Sequence, residues 1–451
     1  LTNVIVELSK YIMIILIAVY TFLCFTVFKN HTEEKKTSIF RRQNGFMFSI
    51  HLIAYLVIFL KTGSTRALLL YAAQAVFLIG VIALYSVLYP KASRLITNNM
   101  CMLMSVSFII LTRLSFEKSV KQFTIMAAAM AAALVIPFII SRVTFLKKLG
   151  WIYAVTGIAL LSSVLVAGKV VFGAKLSLTI GGFSIQPSEF VKIIFVFCVA
   201  SMLYESTEME QLIKATAIAG LHVLILVVSR DLGGALILFV VYLIMLYVAS
   251  RRLLYLVGGF SAGCMAAVAA YFLFSHVRVR VLAWSDPWRY IENEGYQITQ
   301  SLFAIGTGGW FGMGLFQGMP NKIPVVEHDF VFSAISEEMG AFFALCLILI
   351  CVSCFIMFLN IAMQIREPFS RLVALGLGIA YGFQVFLTIG GVTKFIPSTG
   401  VTLPLVSYGG SSVFSTLIMF AIIQGLYILR QNEDGSIDRQ KQKRNKKTKQ
   451  Q

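Results

Sequence analysis

The stretch "WSDPWRYIENEGYQ" sets Asp286 between Trp284 and Trp288 and just before Pro287. A carboxylate held near a hydroxyl can act as a general base. Aromatic neighbours could shield it from water. A second stretch, "QPSEFVK", puts Glu189 and Lys192 three residues apart, on one face of any helix it forms. That pair is either a self-neutralising anchor or a charged wall of an outward cavity in which Lys192 faces an anion. "SRDLGGA" places Arg230 and Asp231 where two apolar runs meet, which reads as a tight hairpin. "DFVFSAISEEMG" carries Asp329, Glu337 and Glu338 into a long apolar run. Adjacent acids diverge on a helix, so at least one of Glu337 and Glu338 should face the protein interior.

Two further segments are rich in turn residues. "AIGTGGWFGMGL" has five glycines, which permit close backbone approach to a ligand or simply a re-entrant turn. It is not a phosphate-binding P-loop, because no Gly-Lys-Ser/Thr follows. His328 reads as structural. "FIPSTGVTLPLVSYGGSS" must bend the chain at a membrane surface, with Ser and Thr groups in need of partners.

The elements that position these residues follow from composition. The chain has 451 residues, 58% hydrophobic and only 13% charged. Soluble domains carry about twice that charged fraction. About thirteen apolar segments are long enough, or nearly so, to cross a bilayer: 11–28, 45–61, 66–89, 100–114, 123–141, 151–168, 188–204, 212–228, 232–249, 253–274, 330–359, 370–392 and 410–429. The expected fold class is therefore all-α, polytopic and membrane-embedded. The fourth span is short, but the charge pattern supports it. Basic loops "KNHTEEKKTSIFRRQN", "PKASRLITNN", "RVTFLKKLG" and "QIREPFSR" then share one side with the tail "RQKQKRNKKTKQQ". Basic loops stay cytoplasmic, so the N-terminus and the long loop at about 275–329 are expected outside and the C-terminus inside. No cleaved signal peptide stands out. The tail 431–451 reads as basic, cytoplasmic and irregular.

The net charge of +18 is explained by these loops, so no nucleic-acid partner is expected. The seven cysteines lie in apolar runs without metal or disulfide spacing and read as small buried hydrophobes.

Together, "IQPSEFVK", "DLGGA", "WSDPW" followed by "EGYQITQSLFAIGTGG", "HDFVFSAISEEMG" and "STGVTLPLVSYGGSS" resemble, in order, the shape, elongation, division and sporulation (SEDS) family, the FtsW/RodA/SpoVE proteins. The resemblance covers roughly 100–429. It implies a ten-helix core over 100–430, with residues 1–99 as an added module of about three transmembrane helices. It also implies a peptidoglycan glycosyltransferase that polymerises lipid II, with a class B penicillin-binding protein as partner, in the bacterial cytoplasmic membrane among its lipids. Carried over on matching positions, Asp286 is the catalytic aspartate. Gln186, Glu189 and Lys192 belong to the cavity motif, and Asp329, Ser411 and Ser412 occupy further motif positions. Glu292 and Glu294 remain ordinary solvated charges. No metal site is readable. The leaving diphosphate calls for cations, for which Lys192, Arg278, Arg280 and Mg²⁺ or another divalent ion are candidates. A lipid II flippase and a non-catalytic scaffold are the rival readings. The sequence departs from the family at "GAKLSL", where Leu176 and Ser177 replace Arg-Trp and Lys175 stands one earlier, and at Arg230, which replaces a proline.

Overall fold

The computed structural model describes residues 2–29, 32–143, 145–171, 174–180 and 183–448. The helices in chain order are α1 (Thr2–Lys29), α2 (Glu33–Thr62), α3 (Thr65–Leu88), α4 (Arg94–Leu114), α5 (Phe116–Ala133), α6 (Ile136–Arg142), α7 (Gly150–Ala167) and α8 (Pro187–Leu203). They continue as α9 (Met209–Val228), α10 (Leu232–Ser250), α11 (Leu253–Leu273), α12 (Ser275–Ser285), α13 (Tyr296–Gly308), α14 (Val331–Gln364), α15 (Pro368–Val392) and α16 (Gly410–Thr448).

Among the described residues, twelve helices are long and apolar enough to span, rather than the expected thirteen. The difference is α8, which starts at Pro187 directly after an extended segment and has only 17 residues. Proline suits that first turn, because its missing N–H has no intrahelical partner there.

The doubtful fourth span is longer than hydropathy suggested. "RLITNN" belongs to α4, which is buried along almost its whole length. Its asparagines are paid for by hydrogen bonds. Tyr20 Oη donates to Asn99 Oδ1 at 3.0 Å, Asn99 Nδ2 to Ser353 Oγ at 3.3 Å, and Asn98 Nδ2 to Gln43 Oε1 at 3.0 Å. These bonds tie α4 to α1, α2 and α14, and one apolar core runs from Val6 to Leu426.

The ends of the bundle are distinct. At one end, Lys10 Nζ of α1 donates to Gly312 O at 3.0 Å, so the first helix begins beside the long loop. At the other, Lys91 Nζ donates to Asn432 Oδ1 at 2.6 Å and Arg94 Nη1 to Thr37 Oγ1 at 3.4 Å, which gathers the basic segments with α16.

The all-α expectation needs one amendment. Before α8 the chain forms a small antiparallel meander of β1 (Lys169–Val171), β2 (Ala174–Ile180) and β3 (Phe183–Ile185), with Lys169 opposite Ser177 and Thr179 opposite Ser184. The β-branched and Leu positions of "AKLSLTI" suit a pleated surface. Leu176 and Ser177 lie in β2; the side chain of Lys175 lies outside what is described. The tail also differs from expectation, because α16 continues helically to Thr448. Its Lys, Gln and Arg are good helix formers.

Candidate active site

Glu189 and Lys192 both turn inward from α8, at 7% and 3% exposure. Lys192 Nζ donates to Glu189 Oε2 at 2.8 Å and to Gln384 Oε1 of α15 at 2.6 Å. Ser415 of α16 donates to the same Glu189 oxygen at 3.1 Å. Gln384 Nε2 in turn donates to Thr402 O at 3.0 Å. Three helices and the 401–402 segment are thereby held around one ion pair.

The pair borders a cavity of about 30 Å³ whose lining also includes Gln186, Asp231, Gly400 and Thr402. That is room for a water or two. Asp231 caps α10, accepting from Gly234 N at 2.9 Å on one oxygen and from Ser188 Oγ at 2.8 Å on the other. The hairpin reading of "SRDLGGA" therefore holds, and the same aspartate also lines the cavity. Arg230 beside it has φ 66°. Proline is locked near −65°, which gives a physical reason why this chain cannot carry the family's proline there.

The two serines are spent on shaping the rim. Ser411 Oγ accepts from Gln186 N at 2.9 Å, and Ser412 Oγ shares a hydrogen bond of 2.7 Å with Thr402 Oγ1.

Arg280 of α12 docks onto this rim, donating to Ser398 O at 3.2 Å. Burial depresses its pKa, and the carboxylates of Asp329 and Asp231 pull it back up. An arginine so placed stays a cation. Gly400, at φ 73°, lies against both groups: a Cβ there would stand 3.8 Å from Arg280 Nη2 and 3.8 Å from Asp329 Oδ2. Burial raises the Asp329 pKa above the ordinary carboxylate value, opposed by His328 and Arg280. Arg278, the other expected cation of α12, turns away and donates to Phe272 O at 3.1 Å.

Asp286 closes α12. Its N–H donates to Leu282 O at 3.1 Å, its Oδ1 accepts from Arg289 N at 3.3 Å, and the side chain is exposed. Six residues of helix separate it from Arg280, or about 9 Å along the axis. The tryptophans position the segment. Trp284 Nε1 donates to Lys394 O at 3.1 Å, and Trp288 packs on Phe303 of α13 with ring centroids 5.5 Å apart.

The glycine-rich segment serves packing. Met313 N and Gly314 N donate to Glu337 O and Glu338 O at 2.9 and 2.8 Å, and Ala341 N donates to Gly309 O at 2.9 Å. Gly340 breaks α14 at φ 90° to admit this chain. Both acids are buried, as expected of at least one, and both meet the same segment although adjacent positions diverge on a helix. Arg113 Nη2 meets Glu338 Oε1 at 2.8 Å, and Glu337 Oε1 accepts from Met319 N at 2.9 Å.

The structure brings the expected residues Gln186, Glu189, Lys192, Asp329, Ser411 and Ser412 around one region, with Asp286 at the end of the helix that docks there. Sequence reasoning missed Gln384 and Ser415. A polar side chain inside "AYGFQVFLTIGG" was the available signal, because such residues in spans need a reason. Among the described residues, no cluster of three His, Cys, Asp or Glu side chains is arranged to hold a metal.

The FtsW/RodA/SpoVE "Cell cycle protein" family model matches residues 66–432. The peptidoglycan glycosyltransferase RodA of Mycobacterium tuberculosis H37Rv is 36% identical over 267 residues, 56% of this chain and 57% of that protein. The chain thus aligns with little more than half the length of that relative. A probable peptidoglycan glycosyltransferase FtsW of Aliivibrio salmonicida is 32% identical over 346 residues, 73% of this chain and 85% of that one. Among solved structures, a chain from a peptidoglycan synthase complex studied for coordination of polymerization and crosslinking superposes with TM-score 0.63 at 24% identity, covering 75% of this chain and 98% of its own. The crystal structure of Thermus thermophilus RodA gives TM-score 0.54 at 21% identity, covering 74% and 96%.

Proposed function

The chain belongs to the FtsW/RodA/SpoVE family, and on that premise we propose that it is a peptidoglycan glycosyltransferase polymerising lipid II at the outer face of a bacterial cytoplasmic membrane. The N-terminus and long loop face outward in this reading, and the basic end with the C-terminus faces the cytoplasm. Its partner is a class B penicillin-binding protein that crosslinks the product, as the family resemblance implies.

One observation carries the mechanism. Helix α12 presents Asp286 exposed at one end and plants Arg280 at the rim of the Glu189–Lys192 cavity. A base and a cation thus share one rigid element. The acceptor sugar's 4-hydroxyl attacks the anomeric carbon of the donor. The new glycosidic bond forms as the bond to the diphosphate oxygen breaks, with its electron pair leaving on the diphosphate. The hydroxyl proton passes to Asp286. A single base without a carboxylate nucleophile gives inversion. Arg280, with Lys192 deeper, supplies positive charge for the leaving group. Among the described residues no three His, Cys, Asp or Glu side chains are arranged to hold a metal, so a divalent ion such as Mg²⁺ would enter here as a companion of the substrate diphosphate rather than in a protein cage.

Asp286→Asn is the test. It should leave folding and partner binding intact and cut polymerisation of purified lipid II at least about 100-fold. Wild-type polymerisation by that variant would reject the assignment. A lipid II flippase would instead need Glu189 and Lys192 and tolerate Asp286→Asn. A non-catalytic scaffold would tolerate all three substitutions.

A further inference from the structure

The basic segments at the end of the bundle opposite Asp286 do more than set topology. Helices α2, α3 and the start of α4 enclose a cavity of about 240 Å³, far larger than the one beside Lys192. Arg41 and Arg94 line it, Tyr85 and Tyr89 form an aromatic wall, and no carboxylate is among its lining residues. A cationic cavity without acids is suited to an anion. The α4 N-terminus adds to this. Ala92, Arg94, Thr97 and Asn98 bring that helix end to the cavity, and Ser93 makes no side-chain cap. The positive end of the helix dipole therefore points at the same space.

A second observation specifies the ligand further. Asn44 Oδ1, in the lining, is enclosed and accepts no hydrogen bond. A buried acceptor without a donor is costly; that oxygen has almost no accessible surface, so a ligand hydroxyl supplies the donor once the Asn44 side chain rotates toward the cavity. The lower wall is apolar, through Phe40 and Ile82. On α3 the neighbouring side chains Ile79, Leu84, Val87 and Leu88 are exposed, as on a surface that meets lipid tails. Basic pockets between helices at the cytoplasmic interface are suited to anionic headgroups.

We propose that this cavity is a binding site for an anionic glycerophospholipid with a hydroxylated headgroup. Arg41 and Arg94 hold the phosphodiester, and Asn44 accepts from the headgroup hydroxyl. The lipid would join α2 and α3 to α4. Arg41 and Asn44 precede the residues 66–432 that match the family model, whereas Arg94 and the Tyr85–Tyr89 wall lie within them, so the site is shared between the two parts of the chain.

The test uses the full-length protein purified in nonionic detergent, with binding read by native mass spectrometry and thermal unfolding. The probes are short-chain phosphatidylglycerol, phosphatidic acid and phosphatidylcholine, with glycerol 1-phosphate and inorganic phosphate as soluble anions. Phosphatidylglycerol should bind one per chain and raise the unfolding temperature, and phosphatidylcholine should not. The Arg41→Gln/Arg94→Gln double variant should bind about thirtyfold more weakly, at about fivefold per lost cation. Asn44→Leu should weaken phosphatidylglycerol and leave phosphatidic acid unchanged, which also separates the site from general surface charge. Arg42→Gln, outside the lining, should bind like the wild type and controls for folding. Equal binding of phosphatidylcholine, or undiminished binding by the double variant, overturns the proposal. Saturation by glycerol 1-phosphate or inorganic phosphate as tightly as by the lipid overturns the lipid assignment.

Discussion

Two carboxylate centres lie buried against membrane helices, and they are built for opposite ends. At the α14 kink, Glu338 is wholly enclosed. Arg113 grips it at 2.8–3.1 Å, Phe316 N donates to it at 3.2 Å, and the guanidinium lies 4.4 Å from the Phe316 ring centroid. At α8, Glu189 and Lys192 are also paired, but their partners are neutral side chains and their open side is a cavity. The first centre closes a joint between α4, α14 and the glycine-rich segment. The second leaves charge beside a space that water can enter. Burial of an ion pair alone therefore does not separate a structural joint from a candidate site; what stands on its open side does.

The largest stability effect should separate the two. Arg113→Met strands a fully buried carboxylate and should cost about 3–5 kcal/mol, read as a fall in detergent unfolding temperature. A loss below about 1 kcal/mol would mean that water or another cation reaches Glu338. Lys192→Met should cost less, about 1–3 kcal/mol, because Ser415 still donates to Glu189 and the cavity can admit water. Its main effect should fall on lipid II polymerisation. A Lys192→Met protein with full polymerase activity would make the second centre as structural as the first.

Glycine substitutions sharpen the same contrast. A Cβ on Gly312, at φ 76°, would lie 2.4 Å from Glu338 O. Gly312→Ala should therefore cost about 1–3 kcal/mol of strain. Gly306 belongs to the same glycine-rich stretch but sits in α13 with open space around its Cβ. Gly306→Ala should be neutral or stabilising by about 0.5–1 kcal/mol. If the two substitutions behave alike in thermal unfolding, the close approach of the segment to α14 is wrong.

How much of this was legible follows the same physics. Hydropathy exposed most spans because lipid-facing and core-facing residues are both apolar. It truncated α4, whose asparagines look like loop until their partners on α1, α2 and α14 are seen. The Glu189–Lys192 pair was readable from three-residue spacing. The Arg113–Glu338 pair joins residues 225 positions apart, and no local pattern announces it. Glycines in "GTGGWFGMG" look alike in sequence; only the neighbouring backbone distinguishes Gly312 from Gly306. The docking of α12 through Trp284 and Arg280 depends on backbone carbonyls of Lys394 and Ser398, which carry no side-chain signature at all.

The smallest effect tests whether the rim of the α8 cavity is electrostatically tuned. Asp329 has its pKa raised, first by burial, with Arg280 and His328 opposing. A raised pKa means that the folded state holds the Asp329 proton more tightly than the unfolded chain does. Its favourable contribution is therefore complete below the ordinary carboxylate range and is lost as pH rises through the raised value. Asn stands in for the protonated form at every pH. The Asp329→Asn variant should thus gain stability relative to the wild type as pH increases through that window, and the difference should then level off. Unfolding temperatures of both proteins from acidic to neutral pH measure it. A difference independent of pH, or one that shrinks with rising pH, would mean that the backbone hydrogen bond to Asp329, together with His328 and Arg280, matches or outweighs burial. The rim would then hold a carboxylate as firmly ionised as one in water.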